Sequence, residues 1–490
     1  MKKTKFMLLN LPNPPLRNIY REYAGGFGTT GTISSETLLP TYLLYGASAL
    51  KNLGVEYEIL DAQAMGYNAS QVVDKVKKSK PDVLISWPCL PSLYDDLSIL
   101  CEIKNEKQEM LIVALGTVCN AMPEEVLIKN GRGVDLVIKG WHPHYNLISN
   151  LVSIFMDDEI DPGVFDRIGG ALYLKDDDVV KSPVEPCYED LNNLSFDIYH
   201  QLPLDKYSGE FENIDGSTVE CIPVTTSVGC PFSCMYCPYP IGFGKKIAHK
   251  SIEKIIEEIE FINKNFGISG FMFRDQLFTH KKERILKLCE QIIKRELKIN
   301  WLIEARTDQV DLELLKKMKE SGCFRIHYGV ETGTEDILKK TGKPGVDLGM
   351  IKKTFDETKE AGIFGVAHII LGLPGESEKT LKNTMNLLYE MNPDRVNLNV
   401  LTPYPGTRLF KMAFEKGWIS SFDWSKYTSH NSILKTDELS VEELENARKD
   451  IKNKFRNHKI IHDPTYRKFF IKSVPRKVRD RMVLYLNKDK

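Results

Sequence analysis

Apolar residues along this chain come in short runs separated by segments of helical spacing. Between residues 5 and 150 the runs fall at 6–11, 57–60, 83–86, 111–115 and 136–138. Apolar positions three and four apart mark helices between them, at 38–53, 70–80, 94–104 and 124–130. Short apolar strands alternating with helices predict an α/β fold built on a parallel, doubly wound sheet. Ligands of such sheets sit beyond the carboxyl ends of the strands. Those ends carry the loops 12–33, 61–67, 87–93, 116–121 and 140–144. The first is glycine-dense, Gly25-Gly26-Phe27-Gly28-Thr29-Thr30-Gly31, but lacks the spacing of a dinucleotide fingerprint directly after the strand.

From 151 to about 215 the alternation lapses. Gly169–Leu174 and Val179-Val180 flank Asp176-Asp177-Asp178 and predict a hairpin within a linker. A second alternating block follows, with strands at 270–273, 300–303, 325–328, 365–370 and 396–400 and helices at 252–265, 283–296, 312–321, 346–361 and 378–391. With the run that begins at Cys221 this makes six βα units, too few for a closed eight-stranded barrel and enough for an open, partial one. Its active site belongs at the carboxyl ends of the strands. Beyond 417 the pattern weakens to helices near 441–457 and 465–486. The expected domains are 1–150, a linker over 151–215, a core over 216–425 and a helical extension over 426–490.

Composition narrows the class. The chain has 490 residues, 27% charged and 42% hydrophobic, with a formal net charge of −1. That balance gives no global attraction to nucleic acid. Ten cysteines without disulfide-like spacing point to a reducing compartment. The N-terminus reads as a first strand rather than a signal peptide, and no window reaches the ~20 apolar residues of a membrane helix. The expectation is a soluble, cytoplasmic protein. The last stretch is rich in Lys and Arg and carries Phe469-Phe470-Ile471 and Met482-Val483-Leu484-Tyr485. It reads as a helix packed with a solvated basic face, or as a surface for peripheral membrane contact or an acidic partner.

The candidate chemistry is concentrated in Gly229-Cys230-Pro231-Phe232-Ser233-Cys234-Met235-Tyr236-Cys237-Pro238, a Cys-x3-Cys-x2-Cys pattern in the loop after a β-branched run. Thiolates suit iron–sulfur clusters, which usually take four cysteines. Three close ligands leave one iron of a [4Fe-4S] cluster open to substrate or cosubstrate. A zinc site would favour Cys-x2-Cys with a second pair elsewhere, and the chain has none.

With its aromatic before the third cysteine, this pattern resembles the radical S-adenosylmethionine (SAM) enzymes. In that family Cys230, Cys234 and Cys237 would hold the cluster, SAM would chelate the open iron, and an electron from a flavodoxin or ferredoxin would cleave it. The likeness extends over 220–410. It implies that Tyr236, Asp275, Arg306, Glu331 and Leu373 bind SAM, although the family's usual Asp-Asp stands here as Asp275-Gln276. A structural ion-pair network of Glu304, Arg306 and Glu331 is the alternative reading of those three. Tyr328 and Tyr404 lie at strand ends where a substrate would sit and could donate a proton or hydrogen atom. His327 and His368, in apolar runs, read as satisfied core histidines; Cys221, Cys289 and Cys323 read as buried thiols.

The first block resembles the cobalamin-binding domain that precedes the radical SAM domain in one subfamily, the class B methyltransferase-like enzymes. The matching pieces are the glycine-rich first loop, Ile112–Thr117 followed by Pro123-Glu124-Glu125, and Val134–Gly140. The likeness implies cobalamin contacts at Gly28, Trp87, Cys89, Leu90, Gly116, Thr117 and Gly140. Two departures are Gly116-Thr117 in place of Gly-Gly and Gly140-Trp141-His142-Pro143 in place of Gly-Glu-Gly-Glu. The Asp-x-His-x-x-Gly cobalt-ligand motif is also absent. His142 and His144 read as surface loop histidines, with a His-x-His metal pair as the alternative. The whole implies a cobalamin-dependent radical SAM methyltransferase. A 5′-deoxyadenosyl radical would abstract hydrogen from an unactivated carbon of a small-molecule, lipid or protein substrate, and methylcobalamin would methylate it. A cyclase or rearrangement enzyme without methyl transfer, and a non-catalytic cobalamin or SAM sensor, are the alternatives.

Overall fold

The computed structural model describes residues 4–30, 37–129, 131–157, 162–207 and 209–473. The described chain falls into two compact units. One combines 1–209, 221–278 and 402–434; the other combines 210–220, 279–401 and 435–490.

In the first unit a seven-stranded sheet runs in the order Glu56–Asp61, Lys5–Asn10, Val83–Ser86, Leu111–Ala114, Leu136–Ile138, Ala171–Lys175, Asp178–Lys181. The first five are parallel. Phe6, Leu8, Leu9, Leu84, Ile85, Ile112, Val113, Leu136 and Val137 have no exposed surface. Runs without polar alternation are what a sheet covered on both faces requires. The hairpin expected in the linker instead extends this sheet antiparallel, with Leu136 opposite Tyr173 and Ile138 opposite Ala171. Its apolar positions complete the edge of the sheet.

The helices are specified locally. Ala69–Ser79 opens on an Asn68/Gln71 capping box and ends with Lys80 left-handed. Thr41–Asn52 is buried over ten of its residues, and Gly46 lets it approach the sheet. A Cβ on Gly46 would meet Ile148 at 3.1 Å and Leu8 at 3.2 Å.

Two strands of the second alternating block, Ile222–Val224 and Gly270–Phe273, pair in parallel within the first unit. Four more, Asn300–Ala305, Cys323–Glu331, Phe364–Leu371 and Arg395–Val400, form a parallel run in the second. Helices Leu312–Glu320, Leu348–Glu360 and Glu378–Met391 connect them. Strand residues therefore alternate between a side that faces these helices and the opposite side. Tyr328 lies on the first: it is fully buried, bonds Thr358 through its hydroxyl at 2.9 Å and meets Phe355 edge-on at 5.3 Å. A packing role replaces the expected place beside a substrate. The second unit also holds the hairpin Glu210–Glu212/Thr218–Glu220 and the helices Val441–His462 and Pro464–Ser473. Residues 474–490, which include part of the expected basic helix, lie outside the described residues. Among the described residues no helix is long and apolar enough to cross a membrane.

Candidate active site

The cysteine loop is an excursion closed by a two-stranded ribbon, in which Ser227 pairs with His249 and Val228 with Ala248. Gly229 enters it at φ +98°, where a Cβ would lie 2.2 Å from the Lys246 carbonyl oxygen; only glycine fits. The Cys230 amide donates to the Gly244 carbonyl at 3.0 Å, and the Cys237 amide to the Cys234 carbonyl at 3.1 Å. The Gly229 amide donates to Gln276 Oε1 at 2.9 Å.

No disulfide joins any of the ten cysteines. Cys230, Cys234 and Cys237 are half-buried, whereas Cys89, Cys119, Cys221, Cys289 and Cys323 are buried. Burial pushes the thiols of Cys89 and Cys289 up to about 11 and raises those of Cys119 and Cys323 well above the usual thiol range, which keeps them protonated. Only the loop places three accessible thiols together. Among the described residues no three His, Cys, Asp or Glu side chains converge as on one metal ion. A cubane does not require that, because each sulfur ligates a different iron. The donor set fits a [4Fe-4S] cluster. Tyr236 is half-buried in the same loop.

Asp275 acts as the buckle of this loop. It accepts from the Thr226 amide at 2.8 Å, the Thr226 hydroxyl at 2.5 Å and the Ser227 hydroxyl at 2.6 Å. Burial raises its pKa and these donors oppose the rise. Both its oxygens accept from the strand that feeds the cysteines, so the contacts seen give it a positioning role. A second anchor escaped the sequence. Lys250, directly after the ribbon, pairs with Glu258 at 2.5 Å with both side chains 1% exposed. Tyr199 donates to the other Glu258 oxygen at 2.7 Å, and the Lys250 ammonium lies over the Tyr45 ring at 5.4 Å.

In the second unit Arg306 forks onto Asp308 at 2.8 and 2.7 Å and donates to the Pro344 carbonyl at 2.7 Å. Glu331 stands at φ +69° at the end of its strand and pairs with Lys343 at 2.8 Å, both nearly buried. Lys343 also donates to the Gly329 carbonyl. Arg306 and Glu331 thus each sit in an ion pair, but with Asp308 and Lys343 and not in the expected network with each other. Leu373 is fully buried in the turn after Phe364–Leu371. In that turn Glu376 Oε2 accepts from the Gly372 amide while Oε1 is buried without a partner. Burial lifts this carboxyl to about 7.

At the carboxyl ends of the first sheet the loops interlock. Gly28, at φ +88°, faces the Cys89 sulfur, which would lie 3.1 Å from a Cβ. The Leu90 amide donates to the Phe27 carbonyl at 2.7 Å. Arg21 pairs with Asp96 at 2.8 Å and contacts Cys89 Sγ at 3.3 Å. Gly116 (φ +108°) turns the chain so that the Thr117 hydroxyl reaches the Gly25 carbonyl at 2.7 Å. Asn120 accepts from the Gly140 amide at 2.9 Å and donates to the carbonyls of Gly140 and Ile241 at 2.7 and 2.8 Å.

Trp87 stacks on Tyr42 at 4.6 Å and donates its indole N–H to His144 Nδ1 at 3.2 Å. His142 stacks on Phe243 at 4.7 Å, and its amide donates to the Gly242 carbonyl at 2.9 Å. These histidines are buried, not surface residues: His142 is 3% exposed and His144 has no exposed surface. Burial drives the His142 pKa down to about 3 and holds that of His144 well below its usual value, so both imidazoles are neutral. Both His142 nitrogens, His144 Nε2, Thr29 Oγ1 and Tyr404 Oη are buried without hydrogen-bond partners. Buried polar atoms left unpaired call for a ligand or water, and the amide-rimmed corrin of cobalamin would supply partners there. Tyr404 is 5% exposed and stacked on Phe27 at 5.3 Å, in the core of this unit.

Residues 224–388 match the family model of the Radical SAM superfamily. An uncharacterized methyltransferase of Pyrococcus horikoshii is 26% identical over 441 residues, covering 90% of each chain. The anaerobic magnesium-protoporphyrin IX monomethyl ester cyclase of Rubrivivax gelatinosus is 28% identical, covering 83% of this chain and 71% of that protein. Among solved structures, the cobalamin-dependent SAM radical enzyme OxsB, with aqua-cobalamin and SAM bound, superposes with a TM-score of 0.72 at 16% identity. That match covers 100% of this chain and 71% of OxsB. The cysteine loop and the superfamily match over residues 224–388 mark a radical SAM domain in this chain, and the chain shares the fold of the cobalamin-dependent SAM radical enzyme OxsB.

Proposed function

We propose that the protein is a cobalamin-dependent radical SAM C-methyltransferase. One observation carries the reading. The helix Tyr239–Phe243, two residues beyond the third cysteine, is bonded to the carboxyl ends of the first sheet through His142 N–H to Gly242 and Asn120 to Ile241. The cluster loop and the crevice of a ligand-binding sheet are thereby tied to each other inside one compact unit. When bound, the cluster would supply the electron that cleaves SAM, and cobalamin would carry the methyl group.

The chain's own work is positional. Cys230, Cys234 and Cys237 would hold the cluster; Gly229, Asp275 and Gln276 fix the path of their backbone. Gly28, Trp87, Cys89, Leu90, Gly116, Thr117 and Gly140 shape the sheet end, where neutral His142 and His144 would meet the corrin. Glu331 and Lys343 offer a carboxylate and an ammonium, the pair of charges that the zwitterionic methionine part of SAM would exchange with. An electron donor of the flavodoxin or ferredoxin class and a cytoplasmic setting complete the proposal.

The test is anaerobic reconstitution with iron and sulfide, cobalamin, a low-potential reductant and methyl-deuterated SAM. A methyltransferase yields both 5′-deoxyadenosine and S-adenosylhomocysteine with a deuterated product. Formation of 5′-deoxyadenosine with no S-adenosylhomocysteine in the presence of substrate would instead establish the cyclase or rearrangement reading, which the similarity to the monomethyl ester cyclase favours. Absence of ~400 nm cluster absorbance and of SAM cleavage would leave the sensor.

A further inference from the structure

The first unit carries an exposed aromatic patch beside the cysteine loop. Helix Arg408–Glu415 buries Leu409 and Ala413 and leaves Phe414 outside, 62% exposed. Phe422, 51% exposed, meets Phe414 edge-on at 6.1 Å. Behind it the rings of Trp424 and Tyr427 continue inward, at successive centroid separations of 6.4 and 4.7 Å. Single apolar side chains at a surface are ordinary, but two large rings in contact there, backed by two more, mark a face that another molecule covers.

The setting of these rings is cationic. Residues 406–428 hold Arg408, Lys411, Lys416 and Lys426 against Glu415 and Asp423, in a chain whose net charge is −1. All four cations are exposed. Both carboxylates are engaged within the patch, Glu415 by Lys411 at 4.0 Å and Asp423 by Lys426 at 3.7 Å. Arg408, Lys411 and Phe414 recur every third residue, and residues three apart are neighbours on a helix, so cations and ring share one face. The start of that face is fastened to the cysteine loop. Thr407 caps the helix, its hydroxyl oxygen accepting from the Phe410 amide at 3.1 Å. The Leu409 amide then donates to the carbonyl of Met235, between Cys234 and Cys237, at 2.9 Å. At about 1.5 Å of helical rise per residue, Phe414 stands about 8 Å along the helix from that bond.

We propose that this face docks a flavodoxin, a small acidic protein that carries a flavin as a one-electron donor. The cations match its acidic surface and steer the encounter, and Phe414 with Phe422 meets the apolar dimethylbenzene edge of the flavin. The flavin hydroquinone gives one electron to the oxidised cluster that the three cysteines would hold and is left as the semiquinone; no covalent bond forms or breaks. A second copy of this chain does not suit the same face, because a two-fold contact would set its cations against one another. The inference rests on the radical SAM reading for the need of an electron, and it gives the donor a place on the surface.

Reconstituted full-length enzyme is titrated into a purified acidic flavodoxin in its oxidised form, and binding is read from flavin fluorescence anisotropy. Lys411→Glu and Phe414→Ser should each weaken binding about tenfold, and added salt should weaken it in the parent. With SAM and subsaturating reduced flavodoxin, 5′-deoxyadenosine formation should fall by the same factor in both variants. With titanium(III) citrate, a small chemical reductant that needs no docking, the variants should match the parent, which also shows that they are folded and loaded. Should one variant not fold, the other decides. Parent-like affinity in the folded variants overturns the inference, as does an equal loss of the titanium-driven rate. Flavodoxin affinity retained while sedimentation with phosphatidylglycerol vesicles is lost would give the patch to a membrane and overturns it too. Absence of 5′-deoxyadenosine from the parent with titanium(III) citrate defeats the radical SAM reading instead, and the anisotropy still reports whether the face binds flavodoxin.

Discussion

Replacing Lys250 by methionine tests how the cysteine loop is held. The ammonium is 1% exposed and bonds Glu258, and its backbone N–H reaches the Thr226 carbonyl at 2.9 Å, on the strand entering the loop. Burial works against this charge, yet Glu258 keeps the Lys250 pKa above its usual value. Methionine keeps the volume and removes the charge. Glu258 then retains Tyr199 alone, at 1% exposure. Removing one partner of a buried pair costs about 3–5 kcal/mol. The uncompensated Glu258 carboxylate is what destabilises the variant, so Lys250→Met should lower the urea midpoint at neutral pH.

Urea midpoints measure this, with the double variant Lys250→Met/Glu258→Gln as control. The double variant should recover at least half of the loss, because a neutral amide can keep the Tyr199 contact. Iron content after reconstitution should fall in the single variant, since the ribbon that closes the loop loses its anchor. A loss below about 1 kcal/mol, or a double variant as unstable as the sum of the singles, would refute the picture of a coupled buried pair.

Cys234→Ala should abolish both the ~400 nm absorbance and 5′-deoxyadenosine formation, with the far-ultraviolet circular dichroism unchanged. Gly229→Ala places a methyl 2.2 Å from the Lys246 carbonyl at φ +98°; it should cost about 2–4 kcal/mol in denaturant unfolding and lower the cluster yield. Glu376, held near 7 by burial, loses its stabilising contribution between about pH 4.3 and 7. Glu376→Gln should then leave stability unchanged at pH 4 and raise it at pH 8 by on the order of 3 kcal/mol, read as melting temperature against pH.

The fold was legible because its signals are local. Unalternated apolar strands such as Leu111–Ala114 announce a doubly covered sheet, and caps such as Asn68/Gln71 announce helix starts. The three cysteines are equally local, eight residues from first to last. What escaped depends on partners far apart in sequence. Lys250 finds Tyr45 while its partner Glu258 finds Tyr199, and Lys343 meets a glutamate displaced by a left-handed backbone. Asp275 could be placed at its strand end but not assigned its work, because the hydroxyls that claim it lie nearly fifty residues earlier. His142 and His144 looked exposed because loops usually are. These loops are buried because they interlock, with Thr117 filling the space beside Gly26.

That interlocking bears on how radical and carrier would be matched. A cluster loop on an independent hinge could vary its distance from the sheet. Here the turn after Cys237 hands its carbonyls to Asn120 and to the His142 amide, and Asn120 also clasps Gly140. Each bond contributes only about 0.5–1.5 kcal/mol, but together they leave little slack between the cysteines and the sheet's carboxyl ends. Radical chemistry requires its groups to hold their geometry while reactive species exist. In this protein that geometry is set by the carbonyls of Gly140, Ile241 and Gly242 with the Asn120 side chain and the His142 amide as their donors. This explains how Gly116-Thr117 and Gly140-Trp141-His142-Pro143 can depart from their usual forms while the frame around them stays closed.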